Sequence, residues 1–175
     1  MKFFSVFGLA LIIGFTSSAF AGDIKVINTM SGFPEGPLWH NGKLYYVEYG
    51  THTVKTWDGK QNQEFWRLDG CGPSAIVALP AGDFLVTCYD AGSIARISAE
   101  GKTTAEYKQD REGRGFQGPN DFAADQKGNV YFTASGPWES EPIVGMVFYM
   151  NPKGEIMQVA DDLHYANGIA LSNDG

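Results

Sequence analysis

Three times in this chain a Gly-Pro step leads into a short apolar stretch, and a fourth, degenerate copy follows. The sharpest copy is Gln117–Asp125, QGPNDFAAD, which runs on into Gly128–Ala134, GNVYFTA. Upstream stand GPLW at Gly36–Trp39, preceded by Glu35, and GPSA at Gly72–Ala75, preceded by Cys71. Downstream stands ANGIALS at Ala166–Ser172. Gly36 to Gly72 is 36 residues, Gly72 to Gly118 is 46, and Asn120 to Asn167 is 47. Periods of about 40–50 residues with four strands apiece are the mark of β-propeller blades. Each copy therefore reads as the opening of the innermost strand of a blade.

The residues between the copies fit that reading. After a lead-in strand over Asp23–Asn28, the first unit offers Leu38–His40, an Asn41-Gly42 turn, Lys43–Glu48, Thr53–Trp57 and Gln63–Leu68. Asn-Gly between two apolar runs is a strong hairpin signal. The second unit offers Ser74–Leu79, Phe84–Tyr89, Ser93–Ser98 and Thr103–Tyr107. The third offers Asp121–Ala124, Asn129–Ala134, Gly145–Met150 and Glu155–Ala160. Twenty-two glycines and 8 prolines in 175 residues supply the turns that so many short strands require. A β-sandwich is the structural alternative, but it predicts no recurrence of the opening motif.

The expected class is all-β, a β-propeller over residues 22–175 that stops after three complete units and the first strand of a fourth. Propellers close with about four to eight blades. The chain thus reads as a truncated ring, exposing apolar blade faces and an unpaired edge.

Glu35, Asn120 and Asn167 each stand beside an opening motif. Taken singly, Glu35 is a solvated loop carboxylate and each Asn a turn residue that caps its own backbone. Taken as equivalents, all three point into one central channel. One carboxylate and two amide carbonyls suit a hard cation, Ca²⁺ before Zn²⁺ or Mg²⁺. A single formal charge is little for a divalent site, so a further carboxylate is expected. Asp121, on the opposite face of its strand, reads as a group behind the metal ligands that orients Asn120. Trp138, in the long loop Ser135–Ile143, is a candidate for the substrate mouth or an ordinary packed loop residue. Tyr89 and Ser74 are candidate channel-lining groups.

These motifs, in this order from Glu35 onward, resemble the family of senescence-marker protein, gluconolactonase and luciferin-regenerating enzyme. EGP resembles the family's first opening, the Asn120-Asp121 pair its middle one, and ANG-Ile at 166–169 the next. Asp110–Gly175 also resembles diisopropyl fluorophosphatase and, at ANG, paraoxonases. The resemblance implies a six-bladed propeller, of which this chain supplies about the first three blades, that hydrolyses lactones or related esters with one divalent cation. It implies Glu35, Asn120 and Asn167 as metal-binding positions, with Asn120 binding substrate in some members. It also implies a catalytic Asp downstream of the ANG strand, beyond Gly175; Asp174 lies in a turn and does not match it. Ala134 departs from the pattern, since many lactonase-like members carry Asp there. The chain alone is accordingly expected to be inactive. Two other readings stay open: a phosphotriester or other ester hydrolase on the same metal, and an inactive or ligand-binding propeller.

Met1–Ala21 reads as a secretory signal peptide: Lys2, the apolar run Phe3–Phe15, then Ala19-Phe20-Ala21 as a cleavage site. A periplasmic or secreted protein is expected, free of the membrane once cleaved. In that setting Cys71 and Cys88 form a disulfide or remain two small buried thiols. A turn near Ala81–Gly82 would set Cys88 opposite Ser74 or Ala75. The net charge of −7, with no basic cluster, argues against nucleic acid as a partner and leaves a small-molecule substrate. Gly113–Gly118 fits G-x-G-x-x-G, but Pro119 and a strand follow where a helix is required. His40, His52 and His164 lack zinc-ligand spacing. The run Asp110–Arg114 reads as a solvated charged loop.

Overall fold

The structure, a computed structural model, describes residues 23–138 and 144–172. The signal segment, residues 139–143 of the long loop, and Asp174 lie outside the described residues. Twelve described strands form three four-stranded antiparallel sheets. The first holds β1 (Pro34–His40), β2 (Lys43–Glu48), β3 (Thr53–Trp57) and β4 (Asn62–Arg67). The second holds β5 (Pro73–Ala78), β6 (Phe84–Cys88), β7 (Ser93–Ile97) and β8 (Thr103–Tyr107). The third holds β9 (Pro119–Ala124), β10 (Val130–Ala134), β11 (Gly145–Met150) and β12 (Ile156–Leu163). In each sheet every strand pairs with its neighbour in sequence. The first strands meet: β1 packs on β5, and β5 on β9. These are propeller blades with β1, β5 and β9 innermost.

The core lies between blades, because each sheet has two faces to bury. Strand β6, FLVTC, is buried along its whole length. Alternation sends Phe84 and Val86 toward Tyr45, Val47, Val54 and Trp66 of the first blade. It sends Leu85 the other way, toward Phe122, Val130, Phe132 and Phe148 of the third.

The inner strands share an irregularity that sets the register of the channel. Glu35 pairs with Val47 and Leu38 with Tyr45; Pro73 pairs with Cys88 and Ile76 with Val86; Pro119 pairs with Ala134 and Phe122 with Phe132. Each inner strand advances three residues where its partner advances two, a β-bulge that bends the strand at the channel. The partner positions also fix which residues are equivalent, and they correct the alignment of the Gly-Pro steps. Pro34, Pro73 and Pro119 face Glu48, Cys88 and Ala134, the last residues of their partner strands. The repeat is therefore Phe33-Pro34-Glu35, Gly72-Pro73-Ser74 and Gly118-Pro119-Asn120, with Gly36-Pro37 three residues further in.

Three other expectations change. Residues 23–28 form no strand, and are held instead by side chains: Asn62 donates to the Ile27 carbonyl and Asn28 to Glu48 and the Tyr46 hydroxyl. ANGIALS is not a strand, since none of its described residues pairs in a ladder. The Asp110–Arg114 run is not simply solvated: the Asp110 side chain is fully buried and pairs with Arg114 at 2.6 Å.

Cys71 and Cys88 are joined as a disulfide with Cα atoms 4.4 Å apart. The bulge is the reason. It shifts Cys88 opposite Pro73 rather than Ser74 or Ala75, which brings Cys71 alongside. The double variant C71S/C88S is expected to lose about 3 kcal/mol of unfolding free energy in urea denaturation, the loop-closure value for a bridge of this span. A loss near zero would mean that the interblade core fixes the hairpin unaided.

Candidate active site and metal centre

The residue after each opening proline faces the channel. By register these are Glu35, Ser74 and Asn120, and the fourth copy, Tyr165-Ala166-Asn167, supplies Asn167. All four line two cavities, of about 400 and 420 Å³. They therefore form the waist between an outer mouth and an inner channel. The structure thus gathers Glu35, Asn120 and Asn167 on one wall, as expected, although Asn167 comes from an irregular segment. That segment is docked on the third blade by Thr133, which donates to the Asn167 carbonyl, and Ser135, which donates to that of Ala166.

The waist residues differ in what holds them. Ser74 is buried, and its hydroxyl lies 3.1 and 2.9 Å from the carbonyls of Pro119 and Asn120 and 2.9 Å from the Thr87 hydroxyl. It ties the second blade to the third. Among the described residues no hydrogen-bond or ion-pair partner engages the side chains of Glu35, Asn120 or Asn167. Partial withdrawal from water raises the pKa of Glu35 with no cation beside it to offset that rise. A carboxylate and two amides left unpartnered on one wall fit a hard cation, and Glu35 provides the charge. Among the described residues no cluster of three His, Cys, Asp or Glu gathers, so Glu35 is the carboxylate that this wall offers a cation.

Asp121 does not orient Asn120. Its carboxylate accepts the backbone N–H of Phe122 at 2.8 Å and that of Ile169 at 3.2 Å. It lies at the bulge, where strict alternation fails, and it anchors the Asn167 segment instead.

The outer mouth is aromatic. Tyr49 and Tyr89 are equivalent residues, each just past the second strand of its blade. Tyr49 donates to Asp90 at 2.6 Å, and Tyr89 donates to the Gly136 carbonyl at 3.0 Å. Asp90 and Gly136 are equivalent in their turn, so each hydroxyl reaches the same place on the next blade. The hydrogen bond to Asp90 pushes Tyr49 up to about 12, and burial raises Tyr89 as well. Both phenols keep their protons at neutral pH. Trp138, exposed, packs edge-on against Tyr165 with centroids 5.1 Å apart. Tyr49, Tyr165 and Phe33 were not legible as site residues from sequence. The signal was there, an aromatic one residue past β2 and one at each of two opening positions, but it needed the corrected register.

The SMP-30/Gluconolactonase/LRE-like region matches residues 33–175. The chain belongs to this family. Its match begins at Phe33, the first residue of the first opening motif. Diisopropyl-fluorophosphatase of Loligo vulgaris is 27% identical over 181 residues, covering 86% of this chain and 55% of that protein. A gluconolactonase of Xanthomonas campestris superposes with a TM-score of 0.70 at 20% identity, over 82% of this chain and 52% of that one. A streptogramin B lyase superposes at 0.65 and 19% identity, over 82% and 46%. The chain spans about half the length of these relatives. At these identities the superpositions establish the fold, a six-bladed propeller of which this chain supplies three blades.

Proposed function

We propose that this protein is a metal-dependent hydrolase of lactones, with one divalent cation, Ca²⁺ first, held in the channel by Glu35, Asn120 and Asn167. The observation that carries the reading is the convergence of these three unpartnered side chains on one wall, in a chain of the SMP-30/gluconolactonase/LRE-like family. A bound cation would polarise the substrate carbonyl and stabilise the charge that develops on its oxygen. Glu35 supplies formal charge at the waist, Asn120 holds an amide where substrate and cation meet, and Trp138 walls the mouth. Among the described lining residues of the mouth Glu35 is the one carboxylate. The acceptor for the proton of the attacking water is expected to be an Asp downstream of them. We also place the protein in the periplasm or outside the cell. The Cys71–Cys88 bond supports that, because disulfides persist in oxidising compartments.

The test is turnover of simple lactones by the protein at its natural length, before and after chelation. Chelation is expected to lower kcat/KM by roughly 100-fold or more, with Ca²⁺ restoring it better than Mg²⁺ or Zn²⁺. Undiminished turnover in protein shown to be metal-free would overturn the reading. The likeness to diisopropyl-fluorophosphatase favours a second reading, phosphotriester hydrolysis at the same waist, and diisopropyl fluorophosphate belongs in the same assay.

A further inference from the structure

We propose that the substrate of this channel carries a flat apolar body, as in an aryl- or alkyl-substituted lactone or ester rather than a polyhydroxylated sugar lactone, and that a collar of Phe33, Tyr49, Tyr89, Trp138 and Tyr165 recognises it. The proposal rests on the hydrolase reading of the waist and names the substrate class. The collar lines the same outer cavity as Glu35, Asn120 and Asn167.

The first observation is that each blade junction contributes one ring by an exchange of large and small residues. At the first junction Tyr49 and the Asp90 carboxylate it bonds together cover Gly72, whose added Cβ would clash with the carboxylate and meet the tyrosine ring at 2.9 Å. At the second, Tyr89 lies over Gly118, with a Cβ-to-ring distance of 2.7 Å. At the third, the position equivalent to Tyr49 and Tyr89 is Ser135, and the position equivalent to the two glycines is Tyr165. The ring has moved to the other partner, but it is still present.

The second observation is backbone strain. The opening position is left-handed in all four copies, with φ of 55° at Phe33, 57° at Gly72, 60° at Gly118 and 47° at Tyr165. Glycine adopts this conformation freely and an aromatic residue does not. Two of the four copies nevertheless hold aromatic rings there. Phe33 is 75% exposed, so core packing does not explain its ring. It is kept in place by Tyr49, which donates its backbone N–H to the Phe33 carbonyl at 3.2 Å. Strained residues of this kind gather at ligand sites.

The third observation concerns what the collar can offer. The hydroxyl protons of Tyr49 and Tyr89 are committed to Asp90 and Gly136. Tyr165 stands 3.4 Å from the Tyr89 hydroxyl. What remains toward the mouth is ring faces and edges. A substrate ring gains by stacking on them, whereas sugar hydroxyls held at the level of the collar, above the waist donors that the cation engages, would find few free partners.

The experiment compares kcat/KM for dihydrocoumarin, γ-butyrolactone and gluconolactone in the natural-length, metal-loaded protein. Dihydrocoumarin is expected to exceed gluconolactone by about tenfold or more, within the range that apolar pocket contacts supply. Trp138→Ala and Tyr165→Ala should each reduce the preference for dihydrocoumarin over γ-butyrolactone by about tenfold, through KM. Phe33→Gly should reduce it too without lowering the melting temperature, which a purely structural ring could not do. Preference for gluconolactone, or an unchanged ratio in all three variants, would overturn the proposal. If no lactone is hydrolysed the hydrolase reading fails by itself, and the collar is then judged by ligand-observed NMR with coumarin and gluconolactone. Tighter binding of coumarin that Trp138→Ala removes would uphold the collar; equal or weaker binding would sink it.

Discussion

Replacing Glu35 by Gln is expected to cut kcat/KM for lactones by about 10³-fold, close to 4 kcal/mol of transition-state stabilisation. Gln keeps the size and one carbonyl oxygen but removes the formal charge that the waist supplies. With Asn120 and Asn167 as the remaining donors, the site would hold three neutral amides, and Ca²⁺ affinity should fall with activity. The same substitution has a second expected effect of opposite sign. Partial burial raises the Glu35 pKa above its ordinary value of 4.5. Below that ordinary value the carboxyl is protonated whether folded or unfolded. As pH rises through the raised pKa the folded protein must hold a charge it disfavours, so stability is lost on going up. Without cation, Glu35→Gln should therefore melt at or above the wild-type temperature at pH 7, while losing most of the gain that saturating Ca²⁺ gives. Thermal melts with and without Ca²⁺, run beside the assay, read both effects. A variant that melts lower without cation and keeps its response to Ca²⁺ would remove Glu35 from the metal site.

The period of the chain was legible because each blade repeats the same local chemistry. Asn41-Gly42 and Pro80–Asp83 are turns whose geometry is local, and the strands they join alternate or run apolar according to the faces they bury. So the strands of all three blades appear within a residue or two of their expected bounds, except that β1 begins four residues earlier, at Pro34, and β12 runs on to Leu163. What failed was non-local. Gly36-Pro37 looks like Gly72-Pro73, but equivalence is decided by the partner across the ladder, and Pro34 is the residue that faces the end of its partner strand. One missing bulge likewise misplaced Cys88 against Ser74 or Ala75 and left the disulfide undecided. The lead-in residues 23–28 have strand-like composition but join no ladder, and their hydrogen bonds run to the side chains of Asn62, Glu48 and Tyr46. At the site, Glu35, Asn120 and Asn167 could be singled out because each stands beside an opening motif, although the proline that places Glu35 is Pro34 and not Pro37. Asp121 could not be placed, because the bulge cancels the alternation on which its expected role depended. The collar was hidden for a deeper reason. Tyr49 and Tyr165 sit at positions that are not equivalent to each other, and only the fold shows that they fill the same space at the first and third junctions.

Truncating Phe132 to Ala is expected to destabilise the protein by about 4 kcal/mol, a large share of the roughly 5–15 kcal/mol that a folded domain has in hand. Phe132 is fully buried at the centre of β10. Its ring stacks on Phe148 at 5.1 Å and meets Phe116 edge-on at 5.1 Å and Phe122 at 6.2 Å. Strands on both sides of β10 and the second blade close over it, so little can relax into the space left behind. The cost is thus the lost transfer energy, the lost ring contacts and the cavity together. Phe132→Leu, which keeps most of the volume, should cost less than half as much. The function should follow the packing. Phe132 pairs directly with Phe122, the residue that ends the bulge holding Asn120 and Asp121. A cavity beneath Phe122 lets that bulge shift, so Ca²⁺ affinity is expected to fall even under conditions where Phe132→Ala remains folded. Urea denaturation gives the first quantity and calcium titration below the unfolding transition gives the second. A destabilisation under about 1 kcal/mol would show that the second and third blades do not close on this ring. Full destabilisation with unchanged calcium binding would show instead that the waist is held from the channel side, by Ser74 and Thr87 on the Asn120 carbonyl.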